Sequence, residues 1–149
     1  MSDPNIKEQL KKINSLTRKS VTEDDVYIFP VILCDNDVDR DNERFTVSAL
    51  RDLSKMFIGK TGIFDHSMKS ADQTARIFDA CVEFDTSQKN IVGETYARLK
   101  AYAYMLRNEK NISLINEIEG GIKKEVSVGC SISSRKCSIC GTDHANAKC

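Results

Sequence analysis

Phe78-Asp-Ala-Cys-Val-Glu-Phe-Asp85 and Tyr96-Ala-Arg-Leu-Lys-Ala-Tyr-Ala-Tyr104 alternate residue by residue. Phe78, Ala80, Val82 and Phe84 take one side of the first run; Asp79, Cys81, Glu83 and Asp85 take the other. In the second run Ala97, Leu99, Ala101 and Ala103 oppose Tyr96, Arg98, Lys100, Tyr102 and Tyr104. A period of two marks strands with one face turned to a core. The intervening Thr86-Ser-Gln-Lys-Asn90 reads as a turn, so the two runs form a long antiparallel hairpin.

Working outward, Val26 to Cys34 is a short apolar run interrupted by Pro30, which predicts an edge or bulged strand. Upstream, Pro4 opens a segment in which Ile6, Leu10, Ile13 and Leu16 recur at helical spacing. Its charged outer face predicts a helix packed on its own domain. Between the early strand and the hairpin, Asp35 to Asn42 is a polar loop. Thr46 or Ser48 can then cap a helix with Val47, Leu50, Leu53 and Phe57 on one face, ended by Gly59. A brief strand from Gly62 to Asp65 delivers His66. After the hairpin, residues 107–118 predict a helix with Ile112, Ile115 and Ile118 aligned, stopped by Gly120-Gly121. Finally, Val126, Val128, Cys130 and Ile132 alternate with Ser127, Gly129, Ser131 and Ser133, the pattern of a half-buried strand with a serine row.

Strands interspersed with helices predict an α+β fold: a mostly antiparallel curved sheet or barrel flanked by helices. Its parts are an N-terminal amphipathic helix in residues 1–20, an α+β body in 21–136 and a Cys/His segment in 137–149. The chain of 149 residues has the size of one domain with a working core. Lys and Arg number 22, as do Asp and Glu, so bulk charge does not point to nucleic acid or acidic membranes. No apolar run is long enough to span a bilayer, and Met-Ser-Asp-Pro4 does not read as a secretion signal. In a reducing cytoplasm, the six cysteines then read as three buried thiols (Cys34, Cys81, Cys130) and a C-terminal metal cluster.

Two motifs fail on inspection. Gly59-Lys60-Thr61 lacks the earlier glycine of a phosphate-binding loop, since position 54 is serine, and it follows a helix. The acidic run Asp35 to Glu43 has Arg40 where a calcium loop needs glycine, and Thr46 where it needs the bidentate carboxylate.

The remaining chemistry lies in two places. A serine hydroxyl becomes nucleophilic when a base takes its proton, and the chain holds only His66 and His144. Ser127 with His66 is the candidate pair, although a strand serine is usually filler and a lone histidine usually a hydrogen-bonding residue. Cys130 is the rival nucleophile, which alternation assigns to the core face. Second, Cys137-x2-Cys140-x3-His144-x4-Cys149 offers three thiolates and an imidazole for tetrahedral, structural zinc. A redox Cys-x-x-Cys is the competing reading, but no thioredoxin-like βαβ pattern surrounds it. The last candidate ligand is also the last residue, which leaves room for a further ligand and a closing strand beyond it.

The order of these segments resembles the prohead (capsid maturation) proteases of tailed phages, relatives of the herpesvirus assemblin serine peptidases. That family carries a loop of the form Asp-x-x-Gly-Asp/Glu-x-apolar after an early strand. Asp39-Arg-Asp-Asn-Glu43-Arg-Phe45 is similar, with Asn42 in the glycine place. A helix follows, as at Ser48-Ala-Leu50, then a strand-end histidine, as in Gly62-Ile-Phe-Asp-His66. The nucleophile segment resembles apolar-Ser-apolar-Gly, as in Val126-Ser127-Val-Gly129. The resemblance covers about residues 25–135 and implies an assemblin-like fold. It further implies a serine endopeptidase that cleaves scaffold and major-capsid-protein segments inside the prohead, in the cytoplasm of a bacterial host, with self-cleavage or self-association. Ser127 would be the nucleophile and His66 the base, with His144 a candidate third member by its order alone. The reading from another class is a non-enzymatic zinc-knuckle or structural protein of a phage or prophage. Balanced charge and the lack of aromatic residues after Tyr104 argue against a nucleic-acid-binding knuckle.

Overall fold

The computed structural model describes residues 5–63, 65–67 and 69–143. Among them the chain is α+β, with a four-stranded antiparallel sheet and three α-helices. In chain order these are α1 (Ile6–Asn14), β1 (Val26–Asp35), α2 (Val47–Met56), β2 (Thr61–Gly62), β3 (Ala75–Lys89), β4 (Thr95–Leu106) and α3 (Ile112–Glu119). The sheet runs β1–β4–β3–β2, so the β3–β4 hairpin forms its centre. The expected helix start at Pro4 lies outside the described residues.

Each face of the sheet receives a helix. Asn5 caps α1 by accepting the Lys7 N–H at 3.0 Å, which satisfies one of the orphan amides of the first turn. The helix then sets fully buried Ile13 against Val26, Phe78, Tyr102 and Tyr104. Thr46 caps α2 through the Ala49 N–H at 3.2 Å. This second helix presses Leu50 and Leu53 onto Ala97 and Leu99 of the opposite face. Farther along that face, Ile77 packs with Ala101 and Ala103. The alanines of β4 keep the sheet surface low, so the leucines of α2 reach it directly. Each such leucine contributes about 1.5–3 kcal/mol through burial.

The hairpin departs from simple alternation in two ways. A bulge between Ile77 and Asp79 leaves Phe78 as the extra residue, and an extra residue reverses the side on which its successors fall. Phe78 therefore joins the α1 face, whereas Ile77 and Ala80 share the α2 face. In addition, the turn is not at Thr86–Asn90. Strand β3 continues to Lys89, and the chain reverses over residues 90–94. There the Asn90 side chain accepts the Glu94 N–H at 2.8 Å, and Gly93 takes the left-handed φ of +84°.

Two buried asparagines fasten that turn to the end of β1. Asn36, fully buried, donates to the Thr95 carbonyl at 3.0 Å and accepts the Ala97 N–H at 2.9 Å. Asn90 donates to the Asn36 carbonyl at 2.9 Å. Arg44 adds a two-pronged bond to Glu94 at 2.7 and 2.9 Å. Arg44 thereby holds the Glu94 carboxyl below its usual range. These contacts fix the polar loop after β1 on the rigid hairpin, and that loop forms one border of the candidate site.

The expected strand over Val126–Ser133 is absent: these residues carry no ladder pairing and are almost wholly exposed. Val126 is 50% exposed and Ile132 52%. Alternation specifies which side of a strand would be buried; it does not supply an edge to pair with or a layer to enter. Cys130 is accordingly exposed rather than in the core. Among the described residues, no helix is long and apolar enough to cross a membrane.

Candidate active site

His66 stands in a turn just beyond β2, on a segment held at both ends. The Thr74 N–H donates to the Gly62 carbonyl at 3.1 Å, and Thr61 Oγ1 donates to the Ala75 carbonyl at 2.9 Å. Within the segment Ser67 Oγ donates to Asp72 Oδ2 at 2.5 Å, and Lys110 Nζ donates to the Ala71 carbonyl at 2.7 Å. Asp65 and His66 both take left-handed backbone, with φ of +50° and +54°. Successive non-glycine residues in that region are uncommon, and such conformations concentrate at functional turns.

The loop after β1 has a compact geometry of its own. Asp39 Oδ1 accepts the Asp41 and Glu43 N–H groups, each at 2.9 Å. The Asp39 N–H in turn donates to the Glu43 carbonyl at 2.9 Å. Asn42 takes φ of +60° at the tip, a conformation that glycine adopts freely and asparagine tolerates. Glu43 is thus presented at a defined place.

The segment bearing Ser127 passes between these two features. A Cβ on Gly129 would stand 3.5 Å from His66 Nδ1 and 3.8 Å from Cε1, so the open side of the glycine faces the imidazole edge with room for about a methyl group between them. Six residues later, Arg135 Nη1 reaches Glu43 Oε1 at 2.7 Å. Cys130 comes near Cys34, whose thiol is pushed up to about 12 by burial, with the charges of Asp35 and Cys130 adding to it. Ser127 itself is exposed and lies two residues from the glycine that meets His66. Among the described residues no hydrogen bond joins Ser127 to His66, and no carboxylate bonds to the imidazole. Among the described residues, no backbone carbonyl accepts from the N–H groups of residues 126–133.

Cys137 and Cys140 occupy a tight, separate turn. The Gly141 N–H donates to the Cys137 carbonyl at 3.0 Å, with Gly141 at φ of +72°. The Cys137 N–H donates to the Thr142 carbonyl at 2.9 Å. The Ile139 N–H points at Cys137 Sγ from 3.4 Å, and the Cys140 thiol lies 3.2 Å from Thr142 Oγ1. A backbone N–H directed at sulfur suits a thiolate, so these two residues fit a metal-binding turn. His144 and Cys149 lie outside the described residues. Among the described residues no three candidate ligands converge.

Two features had escaped the sequence reading: the Glu43–Arg135 ion pair and the exposure of Cys130. The ion pair joins residues 92 positions apart, for which no local pattern exists. No family model matches the chain, nor does any curated protein or solved structure.

Proposed function

We propose that the chain is a serine endopeptidase of phage capsid maturation, with Ser127 as nucleophile and His66 as general base. The contact between Gly129 and the His66 ring carries the proposal, because it draws together two segments more than sixty residues apart. Ser127 lies two residues from Gly129 on an exposed, unpaired segment, and proton transfer requires its hydroxyl to reach the ring. Apo geometry at catalytic hydrogen bonds is often loose in this way. Asn42 at positive φ also suits the loop in which the phage prohead proteases place glycine.

In the reaction, Ser127 Oγ attacks the peptide carbonyl while His66 takes its proton; His66 then returns that proton to the leaving amine. Backbone N–H groups beside Ser127 would receive the developing oxyanion. The substrates are scaffold and major-capsid-protein segments within the assembling prohead, and an assemblin-like barrel completed by further strands is the fold that accompanies this chemistry. When bound at Cys137 and Cys140, structural zinc would rigidify the exit of the serine segment.

Co-expression with a scaffold substrate tests the assignment. Ser127→Ala and His66→Ala should each reduce cleavage at least about a thousandfold. Cys130→Ser should retain it. Undiminished cleavage by Ser127→Ala, or its loss in Cys130→Ser alone, overturns the serine mechanism. One observation favours a different class: Ile139 is 94% exposed at the tip of the cysteine turn, as in a binding knuckle. Wild-type processing in both Ser127→Ala and His66→Ala would leave that reading in place.

A further inference from the structure

We infer that Glu43 is a positioning residue: through its ion pair with Arg135 it holds the Ser127 segment against His66. For its catalytic consequence the inference rests on the peptidase reading; its structural content does not. The segment from 124 to 134 has no ladder bonds and almost no buried side chains, so burial does not determine its path. Two contacts do so instead. Gly129 meets the His66 ring, and Arg135 meets Glu43 at 2.7 Å.

The two ends of the clamp differ in rigidity. Glu43 sits on a loop braced by Asp39 Oδ1, which accepts the Glu43 N–H, and by Arg44 gripping Glu94 on the hairpin. Arg135 belongs to the exposed strip, next to Ser134, whose Oγ donates to Asp143 at 2.9 Å. Charge on the braced loop therefore bears on where the exposed, unpaired strip rests, and Gly129 follows by chain connectivity. The pair is partly exposed, with side-chain exposures of 57% for Arg135 and 39% for Glu43. Its hold is accordingly modest and sensitive to salt, which suits a segment that must shift to bring Ser127 onto the ring.

Charge reversal and charge exchange in the full chain test this. His66 is one of two histidines, so its Cε1 proton can be assigned by comparison with His66→Ala. Glu43→Arg and Arg135→Glu should each shift that resonance, as the strip facing the exposed ring is displaced. Each should also weaken the nuclear Overhauser contact between the His66 ring protons and the Gly129 Hα protons. The double exchange, E43R with R135E, should restore both readouts, and Glu43→Asp should largely preserve them. Single reversals that leave both readouts unchanged, or a double exchange that restores neither, overturn the inference. Cleavage of a scaffold substrate should fall and recover in parallel. Recovery of the resonance in a protein whose cleavage never depended on Ser127 would keep the clamp and remove the peptidase reading.

Discussion

Gly129 turns its side-chain-free face to His66, where an added Cβ would stand 3.5 Å from the Nδ1 edge of the imidazole. That approach lets a strip with no sheet partner lie close to a histidine on a strained turn. Any side chain at position 129 must share this space with the ring. The residue is therefore the most direct reporter of how the two segments fit.

Gly129→Ala should be tolerated, since its methyl would stand at ordinary van der Waals distance from the ring. Gly129→Leu should not be, because the added atoms must displace either the imidazole or the strip. The expected result is an unchanged melting temperature for both variants, as the strip contributes little to the core. In the leucine variant the His66 Cε1 resonance should shift and cleavage should fall at least tenfold, because a 1 Å misplacement at a reacting centre can cost about a hundredfold. A leucine variant with wild-type cleavage would separate Gly129 from the site.

Much of the framework was legible in the sequence, and the failures have physical causes. Ile13 and the Leu50–Leu53 pair sit on the expected helix faces because a single apolar stripe meets a single sheet face. Ala97, Leu99, Ala101 and Ala103 share a side as expected, since β4 is central and paired on both edges. The bulge escaped because Ile77 and Phe78 are both apolar and either can fill the same register. The hairpin turn was misplaced because Asn90 closes it through contacts with Asn36, 54 residues away. At the candidate site, Asn42 and His66 were visible as local patterns. The path of the serine strip was not, because long-range contacts at Gly129 and Arg135 determine it.

The Asn36–Asn90 pair should bear strongly on stability. Replacing Asn36 with alanine removes a partner from the part-buried Thr95 carbonyl and from the buried Ala97 N–H. Each buried group left unpaired costs about 1–3 kcal/mol. Asn36→Ala is therefore expected to lose about 3 kcal/mol in chemical denaturation, and to melt roughly 6–12 °C lower. Loss of less than about 1 kcal/mol would show that water replaces the side chain.

The thiol of Cys34 gives a pH signature. Burial first, then the nearby Asp35 and Cys130, raise it from 9.0 to about 12. The unfolded thiol ionises near its ordinary value while the folded one stays protonated. The stability associated with this group is therefore full below about pH 9 and is lost as pH rises toward 12. Cys34→Ser should flatten that alkaline decline in denaturation curves. At pH 8, iodoacetamide should modify exposed Cys130 at least a hundredfold faster than Cys34, because the thiolate is the reacting form. Equal labelling of the two, mapped by mass spectrometry, would contradict the burial.

The cysteine turn makes a separate demand, one that does not depend on catalysis. The Ile139 N–H is directed at Cys137 Sγ from 3.4 Å. A bound thiolate benefits from such a donor, whereas a neutral thiol gains little. If the turn holds zinc, the full chain should carry one equivalent by elemental analysis, and Cys137→Ser should lose most of it. Because binding needs deprotonated sulfur, retention should weaken as pH falls below about 6. Chelation should raise amide exchange in residues 134–143 while leaving the hairpin protected, since the asparagine pair and the helix-covered faces hold it through contacts of their own. A metal-free chain whose turn exchanges no faster after Cys137→Ser would return Cys137 and Cys140 to the status of ordinary surface thiols.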